Sequence, residues 1–340
     1  MIRLYSILFI CLLFSSCGNE GKKSSARIVP SKGLPSELLL VVDRPVWESD
    51  LADTLKSITE EPIEGLPQPE PRFRVVHILS PYYKRSYTTM HSKLFIELDK
   101  TQKVPMIGIS YDVVARPQIE VTVKGGTLDQ LRSFLSTNRT LIQDLIADAQ
   151  IDMRALSLHK KYSQKTYKEA ENIFGIHIFA PEQIRATKKR ENFLWAGTNL
   201  NEKDQNIVIY SYPWDGTEIR TATYFSQKRD SVMQRNIPGS EPGQWMQTTQ
   251  NNNIPVVLSR IRNISGREVH EVRGLWEMRN GAMGGPFVSY THIDTLNQRV
   301  LVTEGFVYSP STDKRELIRQ LEASLRTIKF LQKTSSVSEN

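Results

Sequence analysis

Cysteine is almost absent from this chain. Only two of its 340 residues are cysteine, Cys11 and Cys17, and both lie close to the first residue. Exported proteins that use cysteine for stability usually use it in pairs within the folded part. Since neither cysteine falls in the long remainder of the chain, that remainder has no thiol and no disulfide.

The chain also lacks the short motifs that many enzymes share. It contains no Gly-x-Ser-x-Gly elbow and no His-Glu-x-x-His pair, and its glycine-rich stretch at 281–285 is not followed by Gly-Lys-Ser/Thr. We therefore expect no catalytic residues, no metal and no cofactor, and a protein that is not an enzyme. Because the net charge of +7 comes from Lys and Arg interleaved with acids, we also expect no nucleic-acid partner.

The beginning of the chain has the pattern of a lipoprotein signal peptide. A positive start that ends at Arg3 is followed by an apolar run from Leu4 to Phe14, then by Ser15, Ser16 and Cys17. The run is too short to span a bilayer, and small residues precede the cut. We predict a signal peptide over residues 1–16 and attachment of lipid, including palmitate, at Cys17. The alternative is an ordinary cleaved signal in which Cys17 is incidental.

The flanking segments bear on where the protein resides. Residues 17–36 are rich in Gly, Ser, Lys and Pro and predict a flexible tether, and residues 333–340 predict a disordered tail. Signals for surface display place several acids after the cysteine, whereas here Glu20 is followed by Lys22 and Lys23. We expect an outer-membrane anchor with the body in the periplasm, and the cell surface stays open as an alternative.

The hydrophobic pattern of the body predicts an α+β protein with two domains, residues 37–160 and 161–332. Each half contains strands and then an amphipathic helix, which predicts two two-layer halves with mostly antiparallel sheets. The first closing helix begins at Thr127 with a capping box to Gln130, and the last begins at Thr312 as its cap. The strands are predicted at 38–42, 73–79, 93–98, 106–114, 119–123, 192–195, 206–212, 256–261, 268–278, 286–293 and 300–308.

Four sequence stretches carry a resemblance to a known family. They are the segment that ends at Cys17, the stretch 112–118 (Asp-Val-Val-Ala-Arg-Pro-Gln), the opening 175–178 (Gly-Ile-His-Ile), and 274–278 (Gly-Leu-Trp-Glu-Met) with 283–287 (Met-Gly-Gly-Pro-Phe). The chain resembles the Bacteroidota envelope lipoproteins of domain-of-unknown-function family 4837, over nearly all of its mature length. The element order of the second half is also similar to the Mog1/PsbP-like fold. This resemblance implies an envelope lipoprotein and supplies no active site.

One segment of the second half is a candidate binding site because it combines glycines with large side chains. Glycines permit a close approach of the backbone to a ligand, and aromatic rings stack on sugars or lipids. The alternative is a hairpin in which the glycines form the turn and the aromatics belong to the core. The candidate residues are Trp276, Met278, Gly281, Gly284, Gly285, Phe287 and Tyr290.

Two functions follow as hypotheses. The first is a non-enzymatic accessory protein of the envelope that binds a glycan, a lipid or a protein. The alternative is a cell-wall or glycan hydrolase whose site is dispersed over the fold, with Glu277 and Glu304 as the acids of interest. Ser311 and Lys314 match Ser-x-x-Lys, as do Ser157 and Lys160, but the companion motifs of that enzyme class are missing.

Overall fold

The computed structural model describes residues 29–252 and 254–331. The predicted signal peptide, Cys17, most of the predicted tether and the predicted tail lie outside the described residues. No helix within the described ranges is long and apolar enough to cross a membrane.

The first half is built on a five-stranded sheet. Its strands are β1 (Glu37–Val42), β2 (Arg74–Leu79), β3 (Ser92–Leu98), β4 (Met106–Tyr111) and β5 (Ile119–Gly125), in the spatial order β2-β1-β3-β5-β4. Three of the four pairings are parallel, and only β4 runs antiparallel to β5. Most pairs in this sheet are therefore parallel, whereas the sequence predicts mostly antiparallel sheets. Residues 43–73 and 80–91 are long enough to carry the chain back to the end of the sheet where the previous strand began, so the next strand can run parallel to it.

Helices cover one face of this sheet. They are α1 (Leu51–Thr59), α2 (Leu128–Thr137) and α3 (Arg139–Leu158). Alternate residues of β1 face them, so Leu38, Leu40 and Val42 share a core with Leu55 and Leu135. The long helix predicted from residue 127 is divided at Asn138, and its start is confirmed: the Thr127 hydroxyl accepts a hydrogen bond from the Gln130 backbone at 3.2 Å.

The second half is built on an eight-stranded antiparallel sheet. Its strands are β6 (Ala186–Arg190), β7 (Phe193–Gly197), β8 (Asp204–Pro213), β9 (Met246–Thr248), β10 (Val257–Ile264), β11 (Arg267–Met278), β12 (Gly284–Asp294) and β13 (Arg299–Tyr308). Their spatial order is β9-β11-β12-β13-β8-β7-β6, and β10 also pairs with β11.

Helices lie on both faces of the second sheet. On one face α4 (Gln164–Phe174) and α6 (Arg315–Arg326) share a core with the strands, and on the other α5 (Ala222–Asn236) shares a second core. The predicted α+β class is confirmed, and the expected two layers of this half are corrected to three. The reason lies in the central strands: β12 and β13 bury consecutive residues rather than alternate ones, so both faces need cover.

Shorter elements connect these parts. Two four-residue helices and two short 3₁₀ turns lie at Arg44–Trp47, Arg85–Thr88, Ser80–Tyr82 and Thr295–Asn297. Two-residue strands form at Val29–Pro30, Ala115–Arg116, Ile176–His177, Gln250–Asn251, Ile254–Pro255 and Lys329–Phe330.

The two halves contact each other mainly through α3 and α6. Ile151, Ala155 and Leu158 of α3 pack against Ala323 of α6. At the start of α6, the carboxylate of Glu70 accepts hydrogen bonds from the backbone N–H groups of Lys314 and Arg315, at 2.7 and 2.8 Å. The predicted cap at Thr312 is therefore corrected: the helix begins later, and its cap comes from the other half of the chain.

Candidate ligand-binding site

A cleft pocket of about 610 Å³ opens where α3 meets the end of α6. Both halves of the chain supply apolar side chains to its wall. They include Ala155 and Leu156 from the first half, and Ile264, Val269, Leu325 and Ile328 from the second. The volume falls in the range of about 300–1,000 Å³ that is typical of small-molecule sites.

Helix geometry explains the contribution of the first half. Asp152, Ala155, Leu156 and His159 all line the cleft pocket. Their spacing of three, four and seven residues places them on one face of the last turns of α3. Because Leu156 is 60 % exposed, this face offers apolar surface that no other described residue covers completely.

The polar part of the cleft pocket has a cationic character. Arg267 and Lys329 line it, and neither has a carboxylate within 4 Å among the described residues. Arg326 also lines the pocket, but its guanidinium donates to Asp148 at 2.5 Å and to Asp152 at 3.1 Å. The charge open to a ligand is therefore mainly positive.

A smaller side pocket of about 340 Å³ adjoins the cleft pocket. The two pockets share three lining residues, Arg267, His292 and Phe330, which we call the junction. The Arg267 guanidinium lies 4.7 Å from the centre of the Phe330 ring. The His292 ring meets the same ring edge-on, with 5.7 Å between centroids. Both the Arg267 guanidinium and the His292 imidazole thus pack against Phe330.

His292 is the unusual member of the junction. It is 8 % exposed, and neither of its ring nitrogens has a hydrogen-bond partner among the described residues. Burial, together with the nearby charge of Arg267, lowers the pKa of His292 to about 4. The ring is therefore neutral near pH 7 and carries one free donor and one free acceptor. An unsatisfied buried group of this kind is costly unless a ligand or water completes it.

Two neighbours of His292 in the side pocket share this property. The hydroxyl of Thr291 and the Nδ1 atom of His270 are buried without a partner in the described part of the chain. The Nε2 atom of His270 lies 2.7 Å from the Ser259 hydroxyl. Burial and then Arg220 lower the pKa of His270, so this ring is neutral as well.

The structure separates the aromatic residues that the sequence proposes as a groove. Trp276 and Phe287 lie in the core beneath α5, whereas Tyr290 lies on the opposite face and donates to Glu322 at 3.0 Å. Each of the three is at most 2 % exposed, so none presents a ring face for a ligand to stack on. Because of this burial, the three rings do not form the groove that the sequence suggests. Among the candidate residues of this segment, Tyr290 lines the cleft pocket.

The remaining residues of that segment form the hairpin that was the alternative. Met278 is buried at the end of β11, and its backbone N–H donates to the Met283 carbonyl at 2.7 Å across the turn. Gly281 lies in this turn, and Gly284 and Gly285 begin β12. A Cβ atom on Gly285 would lie 2.0 Å from the Val307 carbonyl, so the glycine is required by the neighbouring strand.

The acids and serines considered for hydrolysis do not come together. Glu304 belongs to the α5 face and pairs with Arg229 at 2.8 Å, whereas Glu277 accepts from Gln247. Because Glu277 follows Trp276 on β11, it points to the opposite face from Glu304. The amine of Lys314 donates to Gln68 and to the Thr312 carbonyl.

The second Ser-x-x-Lys match and the residues that could bind a metal are also located by the structure. Ser157 and Lys160 lie at the end of α3, where the Ser157 hydroxyl donates to the Arg154 carbonyl at 2.7 Å. No group of three or more His, Cys, Asp or Glu side chains with the placement of a metal site occurs within residues 29–252 and 254–331.

Comparison with known families accounts for most of the chain. A family model described as a domain of unknown function, DUF8532, matches residues 31–159, and one described as a domain of unknown function, DUF4837, matches residues 163–327. The chain contains both domains. No curated protein matches it.

The matches refine the resemblance that the sequence carries. The DUF4837 match lies in the second half alone, so the stretch at 112–118 belongs to the DUF8532 domain instead. Residues 160–162 lie between the two matches, next to the boundary expected at about residue 160. The cleft pocket is lined by residues of both domains and by Ile328, Lys329 and Phe330, which follow the DUF4837 match.

Sequence reasoning missed the junction. Arg267 and Phe330 lie 63 positions apart and carry no motif, and no motif marks His292 among the six histidines of the chain. The alternation of His270 with apolar neighbours along its strand predicts a solvent-facing side chain, yet it is 2 % exposed. Alternation of polar and apolar residues along a strand does not show whether a polar side chain faces solvent or a pocket wall, since both accept polar side chains.

Proposed function

We propose that this protein is an envelope lipoprotein that acts by binding rather than by catalysis. In this proposal it is anchored to a membrane through Cys17, and it holds an apolar small molecule in the cleft pocket. The observation that carries the binding role is that pocket itself, a cavity of about 610 Å³ with apolar walls from both domains. The apolar run before Cys17 supports the anchor.

The class of ligand follows from the walls of the cleft pocket. Leu156, Ile264 and Ile328 offer contact to a hydrocarbon, and charged side chains such as Arg267 line the same pocket, so the wall suits a ligand with both an apolar and a polar part. Apolar surface buried by a ligand contributes about 25 cal/mol per Å². A lipid-derived molecule fits this chemistry, and a membrane would supply it close to the anchor.

The binding role is tested with native mass spectrometry of residues 27–340, which contain every described element. We expect bound mass with dodecanol or dodecanoate, lost on denaturation. Leu156→Trp fills the cleft pocket and should weaken binding by about tenfold. Leu141→Trp is the matched control, because Leu141 is an exposed residue of the same helix that does not line the cleft pocket. Bare masses with both compounds would contradict the binding role.

The anchor is tested separately by fractionation of cells that express the full chain. Cys17→Ala removes the acyl acceptor, so the protein should leave the membrane fraction and lose the mass of its lipid. Cys11→Ala is the control, since Cys11 lies within the predicted signal peptide and is removed with it. A Cys17→Ala protein that stays in the membrane fraction with unchanged mass refutes the anchor.

A further inference from the structure

We propose that the junction is an anion subsite, which binds the carboxylate or phosphate head of an amphiphile whose tail lies in the cleft pocket. This inference rests on the proposed binding function and names the class of its ligand. Arg267, His292 and Phe330 are the lining residues that the cleft pocket and the side pocket share.

The charge at the junction favours an anion. The Arg267 guanidinium stacks over Phe330 and has no carboxylate within 4 Å among the residues that the structure describes. An arginine offers paired N–H donors whose geometry matches the oxygens of a carboxylate or a phosphate. The stacking leaves these donors at the rim of the guanidinium, where an anion can meet them.

Buried hydrogen-bond donors lie near Arg267. A neutral His292 carries one N–H, and both of its ring nitrogens are buried without a partner in the described chain. The hydroxyl of Thr291, also buried and without a partner among the described residues, lines the side pocket from the opposite face of β12. An anion between Arg267 and His292 would satisfy a donor that is otherwise costly to bury.

The neighbouring acids are already paired. Glu268 lines the side pocket, but its carboxylate contacts Arg220. Asp152 lines the cleft pocket, and its carboxylate accepts from Arg326. With Lys329 also on the wall of the cleft pocket, the field around the junction stays positive.

The apolar walls decide which anions fit. A small inorganic anion would use the junction and leave the cleft pocket filled only with water, whereas a tailed anion would also bury hydrocarbon against Leu156 and Ile328. We therefore assign the subsite to a fatty acid or an alkyl phosphate and not to free phosphate.

The test compares three probes that share one tail: dodecanoate, dodecyl phosphate and dodecanol. Dissociation constants are measured by calorimetry at pH 7 on residues 27–340. We expect both anions to bind at least about tenfold tighter than dodecanol, and the tighter anion names the head group. Arg267→Gln should weaken both anions by about tenfold and leave dodecanol unchanged.

Arg85→Gln is the matched control, since Arg85 is an exposed arginine of the first half that lines neither pocket. If dodecanol binds as tightly as the anions, or Arg267→Gln weakens all three probes equally, the anion subsite is overturned while the binding function stands. If free phosphate competes as well as dodecyl phosphate binds, the tailed ligand is overturned. If no probe binds, the binding function itself fails.

Discussion

At the scale of the residue, the second sheet contains charges that a hydrophobic pattern does not reveal. Arg229 and Glu304 are both fully buried, and two guanidinium nitrogens donate to the carboxylate at 2.8 and 2.9 Å. Glu304 is recognisable in sequence as an acid in an apolar strand, but its partner lies 75 positions away on α5. Removing one member of such a pair would leave the other charge buried and uncompensated, which destabilises the fold.

His292 makes stability depend on pH. Its pKa is lowered from 6.5 to about 4 by burial and by Arg267, so between these pH values the unfolded chain binds a proton that the folded chain does not. The free energy of unfolding therefore falls as pH drops through this window, by about 3 kcal/mol from this residue. Denaturant titrations at pH 7 and pH 4 measure the change.

His292→Leu should remove this part of the pH dependence. Other carboxylates and histidines titrate in both proteins, so the relevant quantity is the difference between the two proteins at each pH. That difference should be constant above pH 7 and should change by about 3 kcal/mol down to pH 4. A difference that stays constant over the whole range would show that His292 titrates normally.

At the scale of the element, Gly285 shows that the close approach of β12 to β13 requires a glycine. Gly285→Ala places a methyl group 2.0 Å from the Val307 carbonyl, next to the Trp276 indole that donates to the same carbonyl at 3.2 Å. Neither backbone can move without breaking the pairing of β12 and β13. We expect Gly285→Ala to lower the free energy of unfolding by about 2–3 kcal/mol in denaturant melts.

Gly108→Ala is the control for that substitution. Gly108 lies on β4, and a Cβ atom there would meet nothing closer than a carbonyl at 4.0 Å. We expect a change of less than about 1 kcal/mol, since no neighbour must move. Equal losses at the two positions would mean that the close approach at Gly285 is relieved by a small shift of the strand.

The caps of α2 and α6 differ in how far along the sequence their partners lie. Thr127 caps α2 as predicted because the cap depends only on residues three positions apart. Thr312 fails as a cap because Glu70, more than 240 positions away, takes its place. Likewise, apolar runs predict the strands of the first sheet, but their parallel pairing depends on how the connections cross.

At the scale of the whole molecule, Glu70 links the two halves. Glu70→Ala removes a charged cap from α6 and leaves two buried N–H groups unpaired, which should lower the free energy of unfolding by about 2 kcal/mol. Thr312→Ala is the matched control. Because the Thr312 hydroxyl hydrogen-bonds Ser309 and no other described residue, we expect a change below about 1 kcal/mol in the same melts. A larger effect at Thr312 than at Glu70 would contradict the cap between the halves.

Local sequence patterns are sufficient to predict the α+β class, most strands and helices, and a lipoprotein signal. These features follow from hydrophobic periodicity and from interactions between residues that lie a few positions apart in the sequence. The burial of the aromatic residues of the glycine segment in two separate cores follows from the packing of helices on both faces of the second sheet. Tertiary packing also brings Arg267, His292 and Phe330 to one junction, because long-range contacts depend on how sheets pack and not on local sequence.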